Sequence, residues 1–144
     1  MHLVRQAIER PGATTRVSVP VDRLQLAKTR WRGVAADGVE FGFDLAHPLQ
    51  HGDCILAGHG VAYCIEQMTE AVLEIALPGA PAAAAKTGWL MGNLHQPVQI
   101  EPGLIRMADD PSVRQLLEQL RIPFRETRAV FVPFRSAAHH HHGH

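Results

Sequence analysis

The strongest constraint on the fold is a change of pattern near Gln67. Before it, turn signals recur at short spacing and the segments between them alternate at period 2, as half-buried strands do. Val17, Val19 and Val21 share one face, with Pro20 marking an edge or an end. Leu24 to Arg32 is expected to run on as a longer extended segment. Ala36-Asp37-Gly38 predicts a hairpin turn, because Asp-Gly accepts positive φ. Val39 to Leu45 is the cleanest strand: Val39, Phe41, Phe43 and Leu45 face one way, Glu40, Gly42 and Asp44 the other. Turns at His51-Gly52-Asp53 and Gly58-His59-Gly60 frame strands at Cys54–Ala57 and Val61–Glu66. Residues 1–67 are therefore expected to form a small all-β domain of five or six short strands.

Beyond Gln67 the order changes. Ala71–Ile75 reads as a strand. Pro81 fits a first helical position, Ala82 to Ala85 favour helix, and Gly92 stands where a left-handed C-terminal cap is expected. Val98–Ile100 and Leu104–Met107 are strands around a Pro102-Gly103 turn. Asp110 caps a second helix with Pro111 in its first turn, and Val113, Leu116, Leu117 and Leu120 form one apolar stripe. Arg125–Val132 is the last strand. The order β-α-β-β-α-β predicts a ferredoxin-like domain over 68–136, followed by a flexible histidine-rich tail at 137–144. The expected class is α+β.

Composition excludes some functions. Lys plus Arg and Asp plus Glu each number 14, so nothing global points to nucleic acid or an anionic membrane. No apolar run approaches the ~20 residues of a spanning helix. Met1 to Gln6 show no signal-peptide pattern, so a cytoplasmic location is expected. In that compartment Cys54 and Cys64 are expected to be free, buried thiols. They are too far apart in sequence for a zinc knuckle but could lie on neighbouring strands. Serine-hydrolase, zinc-protease, Walker and dinucleotide motifs are missing from the chain, so an enzyme is not expected.

Histidine is the anomaly: ten of 144 residues, five of them in the last six positions. His95, on a turn between a capped helix and Pro97, is the first candidate ligand. The bland alternative is a polar surface residue. His139, His140, His141, His142 and His144 form a tract that reads as a metal binder. A purification tag also looks like this, but the run is broken by Gly143. Imidazole suits nickel, copper and zinc, and the lack of paired cysteine ligands argues against a closed structural zinc site. One histidine cannot satisfy Ni(II). A two-fold dimer could bring two copies of His95 together, or the tail could fold over. Such a site is open, which suits delivery of a metal. Ligation by imidazole weakens below about pH 6.5 as free imidazole protonates. His2, His47, His51 and His59 are expected to be surface polar residues. Lys28, Arg30, Trp31 and Arg32 interleave basic and aromatic residues like a nucleic-acid patch, though a solvated strand or a protein-contact surface fits the zero net charge better.

Gly92-Asn93-Leu94-His95 resembles the G-N-x-H motif of the UreE urease accessory proteins. Pro97–Ile100, Asp37–Gly42, Gly52–Leu56, Val130–Pro133 and the histidine-rich end are similar to that family in the same order, over roughly residues 15–144. The resemblance implies a β-rich N-terminal domain like a chaperone peptide-binding module and a ferredoxin-like C-terminal metal domain through which the chain dimerises. It implies a nickel metallochaperone that hands Ni(II) to the urease assembly complex, which includes the GTPase UreG, with Zn(II) or Cu(II) as competitors. His95 would be the ligand at the dimer interface, and the tail histidines the family's variable extra sites. Leu94 stands where the family usually has arginine, and Met107-Ala108-Asp109-Asp110 lacks the extra histidines some members carry there. Alternatives are a peptide-binding module with a non-functional tail, a general buffer for nickel, zinc or copper, and, least supported, a small metal-dependent hydrolase.

Overall fold

The computed structural model describes residues 1–12 and 15–134 of the chain. The chain is mixed α+β and splits into two compact units, Met1–Met68 and Thr69–His144.

The first unit holds β1 (His2–Val4), β2 (Thr15–Val21), a helical turn α1 (Arg23–Leu26), β3 (Arg30–Val34), β4 (Glu40–Asp44), β5 (Cys54–Gly58) and β6 (Val61–Gln67). They form two three-stranded sheets, ordered β1-β4-β3 and β2-β6-β5. Strands β1 and β4 pair in parallel, as do β2 and β6; β3 with β4 and β5 with β6 are antiparallel. The inward faces build one core around Val19, Trp31, Phe41, Phe43 and Ile65, with Trp31 stacked on Phe43 at 3.8 Å between ring centroids.

Two expectations fail here. The continuous strand from Leu24 to Arg32 is broken by α1, so the unit is not purely β. The cause is local: the Asp22 carboxylate accepts a hydrogen bond from the Gln25 backbone N–H at 2.8 Å, a helix N-cap that competes with extension. Leu26 is buried while Leu24 is exposed, so the two do not share a strand face. The expected free thiols are also wrong. Cys54 and Cys64 lie directly opposite each other on β5 and β6 and are joined in a disulfide.

The turns follow residue chemistry. Gly38 takes φ 92° in the β3–β4 hairpin. Asp37 there accepts hydrogen bonds from the Tyr63 hydroxyl at 2.6 Å and the Val39 N–H at 3.1 Å. Those two donors, Tyr63 first, hold its carboxyl below the usual aspartate value. His59 and Gly60 sit at φ 52° and 75° between the paired Gly58 and Val61, the two positive φ values a tight two-residue hairpin needs.

The second unit holds β7 (Glu70–Ala76), α2 (Pro81–Gly92), β8 (Val98–Glu101), β9 (Leu104–Ala108), α3 (Pro111–Gln119) and β10 (Arg125–Ala129). The sheet order is β10-β7-β9-β8, antiparallel throughout. Leu73, Ile75, Ile105 and Met107 on one face pack with Met91 of α2 and Val113 and Leu117 of α3. Leu120, expected in the α3 stripe, is 44% exposed because the helix ends at Gln119. The last strand ends at Ala129 instead of Val132. From there the chain crosses to the opposite edge of the sheet: the Val132 N–H donates to Gln99 Oε1 at 2.9 Å, and the Phe134 N–H donates to the Val98 carbonyl at 3.0 Å. Phe131 is fully buried on the way.

Asp110 caps α3 as the sequence implies, accepting from the Ser112 N–H at 2.8 Å and from the Ser112 hydroxyl. Asp110→Ala is expected to lower the thermal midpoint by a few degrees, as loss of a single cap does. A calorimetric scan showing no change would mean the cap contributes nothing to this helix.

Candidate metal centre

Helix α2 places the first candidate ligand. It starts on Pro81 and is apolar nearly all round, with Met91 fully buried and Leu90 half-buried against the core. Its end tightens. The Leu94 and His95 N–H groups donate to the Met91 and Gly92 carbonyls, each at 3.2 Å, three residues back rather than four. Gly92 was expected to carry the left-handed cap, but it stays within α2. His95 takes the left-handed conformation instead, at φ 57°. Leu94 is half-buried and packed on the core, so the residue that departs from the family motif is an apolar anchor just before the histidine. His95, Gln96 and Pro97 are all exposed before β8 begins.

A left-handed residue that is not glycine costs roughly 1 kcal/mol. Such strain tends to persist where a side chain is needed. His95→Gly and His95→Ala both remove the imidazole, but only glycine relieves the backbone. His95→Gly is therefore expected to be the more stable of the two by about 1 kcal/mol in urea unfolding. Equal stabilities would show that position 95 is not strained.

Among the described residues, no three His, Cys, Asp or Glu side chains gather into a metal-holding group. His95 thus has no ready-made ligand set within one chain's described part. The tail residues His139, His140, His141, His142 and His144 lie outside the described residues. The last described residue, Phe134, is hydrogen-bonded to Val98, three positions after His95. Around this end the second unit exposes large apolar side chains: Trp89 on α2 at 66%, Ile100 and Phe134.

The remaining described histidines belong to the first unit. His51 is more than a plain surface residue: its Nδ1 accepts the Gln67 backbone N–H at 2.9 Å and ties the turn before β5 to the end of β6. His2 packs its ring against Phe41, and His59 sits in the hairpin turn. The basic stretch also changes meaning. Trp31 is buried against Phe43, so it is unavailable for base stacking, and Arg30 pairs with Asp44 at 3.3 Å.

A family model described as the UreE urease accessory protein, C-terminal domain, matches residues 70–144. A urease accessory protein UreE from Beijerinckia indica is 32% identical over 148 aligned residues, covering 99% of this chain and 83% of that protein. The chain belongs to the UreE family. Its similarity to a UreE of Pseudomonas putida is 31% over 156 aligned residues, 96% of this chain and 87% of the relative. A UreE of Rhizobium meliloti is 33% identical over 103 residues, 70% of this chain and 66% of the relative. UreE proteins are urease accessory factors, not enzymes. Among the described residues no helix is long and apolar enough to cross a membrane.

Proposed function

We propose that this UreE chain is a nickel metallochaperone. It binds Ni(II) between two copies of His95 in a homodimer and delivers it to the urease assembly complex, through the GTPase UreG. The dimer forms through the second unit, whose β-α-β-β-α-β order and β10-β7-β9-β8 sheet support a ferredoxin-like assignment. It works in the cytoplasm.

The observation that carries this reading is the isolation of His95. An exposed imidazole is held on a strained turn, on a half-buried anchor, with no companion ligands among the described residues. A lone ligand makes sense if a symmetry-related copy supplies the second. The exposed Trp89 gives the same unit an aromatic anchor suited to an interface. The tail histidines, His139 to His142 and His144, add further sites. Phe134 sits three residues' register from His95, and the five residues on to His139 can span about 17 Å. The tail can therefore supply further imidazoles to an open coordination shell, or gather metal before transfer. Zn(II) and Cu(II) compete for such ligands, since imidazole accepts all three ions.

Nickel titration by calorimetry, with mass measured in solution, tests this on three proteins: the intact chain, residues 1–136, and His95→Ala. A truncated dimer with about one tight nickel per dimer, lost in His95→Ala, supports the reading. If truncation removes all nickel binding and His95→Ala changes nothing, the metal belongs to the tail alone and the chain is a metal buffer.

A further inference from the structure

The disulfide partners in the first unit have no role in the imidazole chemistry above. We propose that Cys54 and Cys64 form a second, sulfur-only metal site for one soft monovalent cation of the Cu(I) class, open when the pair is reduced and closed when it is oxidised.

Strand register is the first argument. The His59-Gly60 hairpin pairs Gly58 with Val61, Ala57 with Ala62 and Leu56 with Tyr63. Continued regularly, that register would set Cys64 opposite Ile55. A register shift between Leu56 and Cys54 brings Cys54 opposite Cys64 instead. An irregularity of this kind bends a strand and re-aims its side chains. The Cys54 carbonyl is turned away from β6 and accepts the Ile8 N–H at 2.8 Å. Cys54 and Cys64 are therefore a non-hydrogen-bonded pair, the position where facing residues of an antiparallel ladder come closest. Their Cα atoms are 4.0 Å apart.

Donor chemistry is the second argument. Cys54 and Cys64 are 2% and 7% exposed and cluster with Ala62, apart from the main core. No group of three or more His, Cys, Asp or Glu forms among the described residues, so a tetrahedral zinc set is not available here. Two thiolates in an apolar setting match a soft ion content with two sulfur ligands. Nickel, a borderline divalent ion, is left to imidazole.

Redox state gates the site. In the disulfide both sulfurs are bonded to each other and no thiolate is free. Two molecules of a small thiol such as glutathione reduce it by exchange: the protein gains two electrons and two protons, and the small thiol leaves as its own disulfide. Cu(I) then displaces the two thiol protons and is itself neither oxidised nor reduced. On the edge of Cys54 away from β6, the described residues show one isolated backbone bridge, to Ile8, and an edge held so lightly can open locally.

The test uses the full chain without oxygen, titrated with Cu(I) against a coloured Cu(I) chelator. Reduced wild type, oxidised wild type, Cys54→Ser, Cys64→Ser and His95→Ala are compared. Reduced wild type is expected to retain one more Cu(I) per chain than oxidised wild type. Both serine variants lose that ion and His95→Ala keeps it, and X-ray absorption of the reduced complex shows two sulfur neighbours. The oxidised wild type needs no substitution, so it remains the control if a serine variant fails to fold. Three results would each overturn the proposal: equal copper in the two redox states, a first shell of nitrogen only, or a disulfide that cannot be reduced in the folded chain. None of them bears on nickel at His95.

Discussion

An equal mixture of wild-type and His95→Ala subunits, allowed to exchange, should hold about one quarter of the tight nickel sites of the same total amount of wild type. That fraction follows from a site needing one imidazole from each of two copies, because only about a quarter of randomly assorted dimers are wild type on both sides. If each His95 instead bound its own metal with the tail of its own chain, the mixture would hold about half of the wild-type number. The homogeneous variant should lose the tight site altogether and keep the weaker tail sites. Protein stability should scarcely fall in His95→Ala, because the side chain is exposed on a turn and its backbone is already strained. Loss of nickel without loss of fold is thus the expected signature. Calorimetric titration of the exchanged mixture, read beside the unfolding curve of the variant, decides between the two stoichiometries.

Removing Glu74 should produce the largest change in stability. Glu74 lies on the sheet face opposite the two helices, with Arg106 directly across on β9 and Arg125 directly across on β10. Its side chain is 7% exposed and that of Arg106 is 18% exposed. Arg106 donates from Nε at 2.9 Å, and Arg125 donates to the other carboxylate oxygen. Two cations in one row of three strands are tolerable only with the anion between them. Glu74→Ala leaves the half-buried Arg106 facing Arg125 uncompensated and is expected to cost about 3 kcal/mol, as breaking a buried pair does. Replacing all three residues by apolar ones should recover part of that loss, since the charges then need no partner.

The same row gives a pH dependence of known sign. The Arg125 guanidinium first, then Arg106, hold the Glu74 carboxyl below the usual glutamate value. A depressed folded value means the folded state releases the proton more readily than the unfolded chain. The stabilisation is therefore fully present above the ordinary glutamate range and is lost as pH falls through the lowered folded value. Unfolding measured across the acid range should show this slope in the wild type and a reduced slope in Glu74→Gln. Identical slopes would assign acid sensitivity to other carboxylates, such as Asp109 and Glu126 around Arg114.

What the sequence determined by itself was local. Asp37-Gly38, His59-Gly60 and Pro102-Gly103 dictate turns because few residues accept their backbone angles, and those turns cut the chain into most of its strands. Asp110-Pro111 and Pro81 fix helix starts for the same short-range reason. The motif ending in His95 was legible, as was its place on an exposed turn. Asp22 was just as local a signal, yet its cap outweighed an apolar alternation that looked extended.

Other features depend on distant parts of the chain. A one-residue shift in the β5–β6 register brings Cys54 across from Cys64, and no spacing rule foretells where a strand will bulge. The left-handed angle falls on His95 and not on Gly92 because Met91 and Leu94 are both drawn into the core, which extends the helical turn past the glycine. The meeting of Glu74 with Arg125 joins residues 51 positions apart, and that of Phe134 with Val98 brings the last described residue to the strand that follows the turn of His95. Backbone angles are set within a few residues. Register and crossing paths are set by which buried faces must close on each other, and this is why the exposed turn at His95 could be read from the sequence while its surroundings could not.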